Sequence, residues 1–251
     1  MKLSNKNDIA FGTNITDIKI PEILRRKFKV GIDYVDGAIG GEGFTPSCVT
    51  LFTGEPGSGK TTLLLGLADA VTKKGGVALF NTAEESLYQT AMTYERLKLR
   101  NGFATGNTPD VGLILEKSRE MMADPANKGK QFFLIVDSLQ CLFDPKYGAN
   151  YQGGSASAVR CLEAITDFCK ETNAIAVVIN QVNKSGTMAG SNKLKHMVDS
   201  MMHLSVEKKD PDLMGCRVLQ TVKNRFGGCG HVFFMHLGKR GFRTVAKVSA
   251  N

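Results

Sequence analysis

This sequence of 251 residues lacks several features of secreted and membrane proteins. No apolar run approaches the ~20 residues that a membrane-spanning helix needs, and the first residues lack the apolar core of a signal peptide. The cysteines form no C-x-x-C pair, which argues against a zinc site and a disulfide framework. We therefore expect a reducing, cytoplasmic compartment and no membrane contact. Free buried thiols are the expected state of most of Cys48, Cys141, Cys161, Cys169, Cys216 and Cys229.

The sequence also lacks a Pro-, Ser- or Gly-rich linker, so its length favours one large domain over two small ones. Acidic residues are missing from residues 213–251, which carry seven Lys or Arg, and residues 1–30 carry seven basic residues against three acidic ones. The net charge of +8 is therefore concentrated at the two ends. Basic segments often bind nucleic acid or nucleotide phosphates, although a solvated basic surface has the same composition. We predict a basic N-terminal arm, residues 1–30, and one domain, residues 31–251.

A complete G-x-x-x-x-G-K-[ST] pattern is present as G-E-P-G-S-G-K-T at residues 54–61. An apolar, β-branched run precedes it and a helical run follows it. A strand, a glycine-rich turn and a helix start direct backbone N–H groups and the helix dipole at an anion. Lys60 is expected to reach the β- and γ-phosphates, and the Thr61 hydroxyl to hold Mg²⁺. The sequence thus predicts a nucleoside triphosphate site formed by Gly54, Glu55, Pro56, Gly57, Ser58, Gly59, Lys60, Thr61 and Thr62.

Apolar runs of strand length alternate with helical periodicity along the chain. Strands that alternate with helices and are followed by a run of strands predict an α/β fold, with a mostly parallel central sheet flanked by helices and extended by C-terminal antiparallel strands. Predicted strands cover residues 49–53, 77–81, 132–137, 174–180, 201–207, 217–222 and 231–236. Predicted helices cover 85–99 and 158–171, and predicted loops cover 102–112 and 147–157.

Acidic residues follow two of the predicted strands, and α/β sheets bind ligands at the carboxyl ends of their strands. Asp137 ends the strongest strand signal and is the expected second ligand of Mg²⁺. Glu84 is the candidate that orients or deprotonates the attacking water, with Glu85 as the alternate. Both glutamates could instead serve only to favour the start of the helix that follows.

An amide follows a third predicted strand. Gln181 could sense the γ-phosphate, although a glutamine at a strand end is common. Residues 183–186 read N-K-S-G and have glycine where the guanine-binding N-K-x-D pattern has Asp, which disfavours a GTPase.

Further motifs lie outside the phosphate loop. Residues 223–227 read K-N-R-F-G, and residues 31–41, 84–86, 182–190 and 194–199 carry other recognisable segments. Together they resemble the RadA (Sms) family of bacterial DNA-repair ATPases, whose hallmark is K-N-R-F-G, over about residues 30 to 240. The resemblance implies a RecA-like core, ATP with Mg²⁺, a ring that is usually a hexamer, and ATP-driven movement along DNA during recombination. The family often has His where this chain has Gln181, and Gln at this position is closer to RecA.

The resemblance also implies roles for basic residues. Lys223 and Arg225, on the same side of an extended strand, are expected to reach a neighbouring subunit's γ-phosphate, although an exposed basic strand is the alternative. Two loops, about 143–157 and 183–195, are expected to face the channel of the ring. The predicted DNA-binding residues, which would grip single-stranded DNA in a salt-sensitive way, are Lys184, Lys193 and Lys195. Tyr147 or Tyr151 could stack on bases or pack locally.

The four-cysteine zinc module and the Lon-like domain that RadA proteins usually carry are not recognisable here, so we expect an ATPase core alone. The predicted function is an ATP-dependent DNA motor that is active as a homo-oligomer and works with recombination or replication proteins. A replicative helicase or a strand-exchange recombinase on the same core is one alternative. A KaiC-like regulatory ATPase that ignores DNA is another, and a degenerate core that serves as a scaffold is a third.

Overall fold

A computed structural model describes residues 9–147, 154–181 and 192–249. Its helices are α1 Glu22–Arg25, α2 Asp33–Ala38, α3 Lys60–Lys73, α4 Leu87–Leu97, α5 Val111–Ala123, α6 Ser155–Thr172 and α7 Asn192–Met197. Its strands are β1 Val49–Gly54, β2 Val77–Thr82, β3 Ala104–Gly106, β4 Phe132–Asp137, β5 Ile175–Gln181, β6 Ser200–Val206, β7 Arg217–Asn224, β8 His231–Gly238 and β9 Gly241–Ser249. Among these residues, no helix combines the length and apolar composition that a bilayer crossing requires.

The nine strands form one sheet in the order β3-β2-β4-β5-β1-β6-β7-β8-β9. Every pairing from β3 across to β6 is parallel, and the pairings β6–β7, β7–β8 and β8–β9 are antiparallel. The predicted α/β architecture, a mostly parallel sheet with an antiparallel C-terminal extension, is confirmed. Because β2, β4, β5 and β1 are parallel neighbours, the residues at their carboxyl ends meet at one edge of the sheet.

Apolar side chains on both faces of the sheet form the core. β1 and β4 are buried along their whole length, as parallel strands covered by helices on both faces are. α3 packs into the apolar cluster on one face, and α5 and α6 pack into the cluster on the other. The face of α6 predicted from its periodicity is buried, and it consists of Val159, Leu162, Ile165, Phe168 and Cys169.

Several predicted boundaries are wrong in part. The predicted loop at 102–112 contains β3 and the start of α5, because three residues of sequence A-T-G give no strand signal. α5 itself begins where the Asp110 side chain accepts hydrogen bonds from the backbone N–H of Gly112 and Leu113, at 2.7 and 3.2 Å. α6 begins three residues before the predicted helix, inside the predicted loop at 147–157, and β9 was not predicted.

The start of the domain is tied to the core before residue 31. Phe28 pairs with Phe44 through two backbone hydrogen bonds of 2.8 and 2.9 Å, and its ring lies 5.1 Å from that of Phe133. Val30 is also buried. The arm at residues 1–30 therefore stays a prediction, with its last residues packed against the domain.

Candidate functional site

The phosphate loop joins the end of β1 to the start of α3. Gly57 and Gly59 have positive φ angles of 74° and 103°, which side chains with a Cβ rarely adopt. A Cβ on Gly54 would lie 2.3 Å from the carbonyl oxygen of Leu204 on β6, so only glycine fits where the loop leaves the sheet. These residues form an open turn of backbone N–H groups at a helix N-terminus, which is a chemical environment that binds anions.

Lys60 lies inside this loop and is largely buried. Its Nζ donates to the carbonyl oxygens of Gly54 and Glu55, at 3.0 and 2.9 Å. Burial lowers the pKa of the ammonium group, and the carboxylates of Asp137 and Glu84 partly oppose this shift. The ammonium is thus held in position by backbone carbonyls, beside the space that the loop encloses.

The next residue links the loop to β4. Thr61 Oγ1 donates to Asp137 Oδ2 at 2.5 Å, which brings together the two residues predicted to hold Mg²⁺. Burial raises the pKa of Asp137 to about 6, and the hydrogen bond from Thr61 partly offsets this effect. Burial thus destabilises the ionised form, and a bound cation would stabilise it. The described residues contain no group of three His, Cys, Asp or Glu that could hold a metal by themselves, so Mg²⁺ would also need phosphate oxygens and water as ligands.

Glu84 lies beside Asp137, and several side chains donate hydrogen bonds to its carboxylate. Ser138 Oγ donates to Glu84 Oε1, and Gln181 Nε2 donates to both carboxylate oxygens, at 2.8 and 2.9 Å. The thiol of Cys141 also points at Oε1, with Sγ 3.6 Å away. The structure thus brings the two predicted residues Glu84 and Gln181 into direct contact.

The start of α4 separates the two glutamate candidates. Ser86 caps the helix together with Gln89, so Glu84 is not needed as the cap. Glu85 contacts Thr82 and Asn107 through its backbone groups. This arrangement favours Glu84 over Glu85 as the group that faces the phosphate loop.

Three neighbours of the site were missed from the sequence. Arg217 Nε donates to the carbonyl oxygen of Ser58 at 3.3 Å, and Lys208 Nζ lies 2.8 Å from a carboxylate oxygen of Glu55. Gln140, just after β4, donates to the end of β5. No local pattern marks the first two, because Lys208, in the β6–β7 connection, and Arg217, the first residue of β7, lie 153 and 159 positions from the loop residues that they contact. Gln140 lies close to Asp137 in sequence, which was a usable hint.

Lys223 and Arg225 contact the last turn of α7 and the residues that follow it. Lys223 Nζ donates to the carbonyl oxygens of Lys195 and Val198, at 2.9 and 2.7 Å. Arg225 pairs with Asp199 through a 3.1 Å contact. β7 ends at Asn224, so Arg225 lies just beyond the strand on which it was predicted, and both side chains nevertheless point to the same segment.

The predicted DNA-binding residues are only partly described. Lys193 and Lys195 lie on α7 with exposed side chains, so the prediction of a loop through residue 195 is wrong for these two residues. Lys184 and Tyr151 lie outside the described residues. The guanidinium carbon of Arg160 lies 4.3 Å from the centre of the Tyr147 ring, which favours the local-packing alternative for this tyrosine.

Comparison with known sequences finds similar DNA-repair proteins. The chain is 33% identical over 221 residues to the DNA repair protein RadA of Aquifex aeolicus strain VF5, which covers 88% of this chain and 46% of that protein. It is 32% identical over 243 residues to the protein of the same name from Haemophilus influenzae strain Rd, which covers 94% of this chain and 48% of that protein. The chain thus spans about half the length of the curated relatives it matches. No protein-family model matches it.

Comparison with solved structures shows the fold. The chain is similar to the ATPase domain of G40P, with a TM-score of 0.72, 13% identity, and 87% of this chain and 91% of that chain covered. It is also similar to a DnaB-like replicative helicase, with a TM-score of 0.70, 14% identity, and coverages of 85% and 61%. The predicted RecA-like core is confirmed at the level of fold.

The combined binding of Mg²⁺ and ATP is expected to weaken as the pH falls through about 6. The pKa of Asp137 is raised to about 6, and its protonated form cannot hold the cation, so the contribution of Asp137 is complete only above that pH. Titration of a fluorescent ATP analogue with Mg²⁺ between pH 5 and pH 8 measures the change.

Asp137→Asn is the control for this titration, because a nucleotide phosphate also titrates near pH ~6. The variant should bind more weakly at pH 8 and show a smaller pH step than the original protein. An equal step in both would assign the titration to the nucleotide.

Proposed function

Because this chain is a homologue of the RadA DNA-repair proteins over a RecA-like core, as its motifs predict, we propose that it is a Mg²⁺-dependent ATPase that moves on single-stranded DNA in recombination, repair or replication. One observation carries the proposal: Lys60, Thr61, Asp137, Glu84 and Gln181 meet at the carboxyl ends of β1, β2, β4 and β5. An ammonium, a cation site and a group that positions water are the components of phosphoryl transfer.

Each residue has a role that fits its contacts. Lys60 exchanges carbonyl oxygens for phosphate oxygens, and Thr61 and Asp137 hold the cation. Mg²⁺, when bound, neutralises phosphate charge. Glu84 orients water or takes its proton. Gln181 holds both oxygens of that carboxylate in the described state, so a movement of Gln181 changes what Glu84 can accept.

The charge distribution supports DNA as the partner. Lys193 and Lys195 are exposed on α7, directly after the segment that carries Lys184. Lysines without nearby base-reading groups bind phosphates in a sequence-independent, salt-sensitive way. DNA binding at these residues and a cytoplasmic, nucleoid-associated location stay predictions.

Lys223 and Arg225 are proposed to complete the site of a neighbouring subunit. A lysine ammonium has three protons and an arginine guanidinium has five N–H donors. Among the described residues, Lys223 uses two of its donors on backbone carbonyls, and the Arg225 side chain is 54% exposed. Both cations are therefore anchored and still have donors to offer a phosphate.

The outer face of α4 supports self-association. Tyr88 and Met92, four residues apart on one side of the helix, are 85% and 69% exposed, and Leu87 lies beside them. Exposed apolar groups that are contiguous mark interaction sites. α4 begins three residues after Glu84, so this face starts close to the proposed catalytic residue along the chain. The proposed assembly is a homo-oligomer, with the hexameric ring that the family resemblance implies.

A replicative helicase is the second candidate, because one solved structure similar to this chain, over 85% of its length, is a DnaB-like replicative helicase. Unwinding and strand-exchange assays separate it from branch migration. A KaiC-like regulatory ATPase would hydrolyse ATP without any response to DNA.

Single-stranded DNA is expected to raise the steady-state rate of ATP hydrolysis, and the stimulation should fall as salt rises, because phosphate contacts release counterions. Lys60→Ala should lower kcat by about 100-fold or more, since it removes a cation that contacts the transferred group. A rate that is equal with and without DNA at low salt would favour the regulatory ATPase. Lys247→Ala, on the exposed β9, is the matched change of charge and should leave the rate nearly unchanged.

Mixed oligomers test the proposed site between subunits. Glu84→Gln should abolish turnover in its own subunit, and Lys223→Ala should abolish turnover in the neighbour's site. Mixing the two inactive variants creates interfaces that contain one intact Glu84 and one intact Lys223, so activity should reappear, with a maximum near equal amounts. Activity that stays at the level of the separate variants would mean that Lys223 acts within its own subunit.

Tyr88→Glu is expected to dissociate the oligomer, because it places a charge in an apolar contact. Sedimentation velocity measures the assembly, and thermal unfolding checks that the monomer is intact. Val248→Glu is the control, since Val248 is also exposed but lies on β9, far along the strand from the β8–β9 turn that Arg96 of α4 contacts. Loss of assembly in both variants, or in neither, would contradict the role of α4.

A further inference from the structure

We propose that Gln140 is a positioning residue that couples DNA binding to Glu84. Gln140 lies on the 3-10 turn Leu139–Cys141, directly after β4. The inference rests on the proposed function, because it needs a protein that hydrolyses ATP and binds DNA. Nothing in the phosphate loop contacts Gln140, so its role is separate from nucleotide binding within the described residues.

One amide joins this turn to the end of β5. Gln140 Nε2 donates to Asn180 Oδ1 at 2.6 Å and to the carbonyl oxygen of Gln181 at 3.2 Å. A backbone carbonyl only accepts, so the group that faces it must be the NH₂ of Gln140, and the amide orientation is fixed. Asn180 is fully buried, which makes this end of β5 a firm attachment point.

Gln140 joins the turn after β4 to the end of β5, and both segments supply donors that contact the carboxylate of Glu84. The turn supplies Ser138 on one side of Gln140 and Cys141 on the other, and both donate to Glu84 Oε1. β5 supplies the side chain of Gln181, which donates to both oxygens of the same carboxylate. Gln140 therefore fixes the distance between the two sets of donors.

The same two segments lead towards the predicted DNA contacts. After Gln181 the chain continues through residues 182–191, which include Lys184, to α7 with Lys193 and Lys195. After Cys141 it continues into residues 143–157, the other predicted channel loop. DNA that binds either segment would therefore shift the residues that Gln140 joins. Through Gln181 and Ser138, this shift would change the position of Glu84.

The second observation is an unmet acceptor. Gln140 Oε1 is buried and has no hydrogen-bond partner within the described residues. A buried acceptor without a donor is unfavourable. A second conformation, in which Oε1 accepts a hydrogen bond, would therefore be lower in free energy. A second arrangement of Gln140 would supply the two-state behaviour that a coupling element needs.

Gln140→Met tests the inference, because methionine has similar length and no donor. The matched control is Gln131→Met: Gln131 Nε2 also donates to two carbonyl oxygens, those of Phe132 and Asn173, but at the opposite end of β4. Gln140→Asn, which keeps the amide one methylene shorter, is the second variant if Gln140→Met unfolds. Thermal unfolding establishes which variants are folded.

Two measurements report the coupling. The first is the ratio of ATP hydrolysis rates with and without oligo(dT). The second is the affinity for fluorescein-labelled oligo(dT) with and without a non-hydrolysable ATP analogue, since coupling between two binding sites is reciprocal. Coupling of about 5- to 150-fold is typical of such linkage, and Gln140→Met should reduce both ratios to within about twofold of unity. Its DNA affinity without nucleotide should stay close to that of the original protein and of Gln131→Met.

The outcomes separate this inference from the proposed function. Undiminished coupling in a folded Gln140 variant would overturn the inference and leave the proposed function intact. Equal losses of basal hydrolysis and DNA affinity would also overturn it, because they would indicate a structural role. An original protein that shows no response of either site to the other would overturn the proposed function and this inference with it.

Discussion

The hydrogen bond between Thr61 and Asp137 sets the geometry of the rest of the site. It closes the space between the first turn of α3 and the end of β4, and it places a buried carboxyl next to the ammonium of Lys60. Desolvation disfavours the ionised form of this carboxyl and raises its pKa, and a bound cation would favour that form. The same carboxyl is followed directly by Ser138, so the residue that would hold a metal and the residue that holds Glu84 are neighbours on one short stretch of backbone.

The parts of the site that could be predicted are those marked by a pattern of neighbouring residues in the sequence. The phosphate loop, Asp137 and Glu84 follow apolar strands, and parallel strands bring their carboxyl ends together, so order along the chain was enough to place them. The alternation of apolar, strand-length runs with helical periodicity gave the α/β class for the same reason. β3 and α7 were missed because three and six residues carry too little pattern, and their conformations depend on pairing with β2 and on a cap from Lys223.

The residues that sequence did not reveal act through contacts between distant segments. Lys208, in the β6–β7 connection, and Arg217, the first residue of β7, reach the phosphate loop, and nothing in the sequence around them distinguishes them from surface cations. Lys223 and Arg225 were found by resemblance, but their anchoring to residues 195–199 follows only from the packing of β7 beside β6. The motif therefore identifies these two residues, and the fold determines which groups they contact.

Asp199 has a mechanical consequence for the whole sheet. Arg225 grips it through both side chain and backbone, and Asp199 in turn exchanges hydrogen bonds with Val49, the first residue of β1. The last residue of β1 is Gly54, where the phosphate loop opens. β1 thus connects Asp199 to the phosphate loop over roughly 17 Å, at a rise of about 3.3 Å per residue. A displacement of Arg225 would therefore act on the start of β1, the buried strand whose other end carries the phosphate loop.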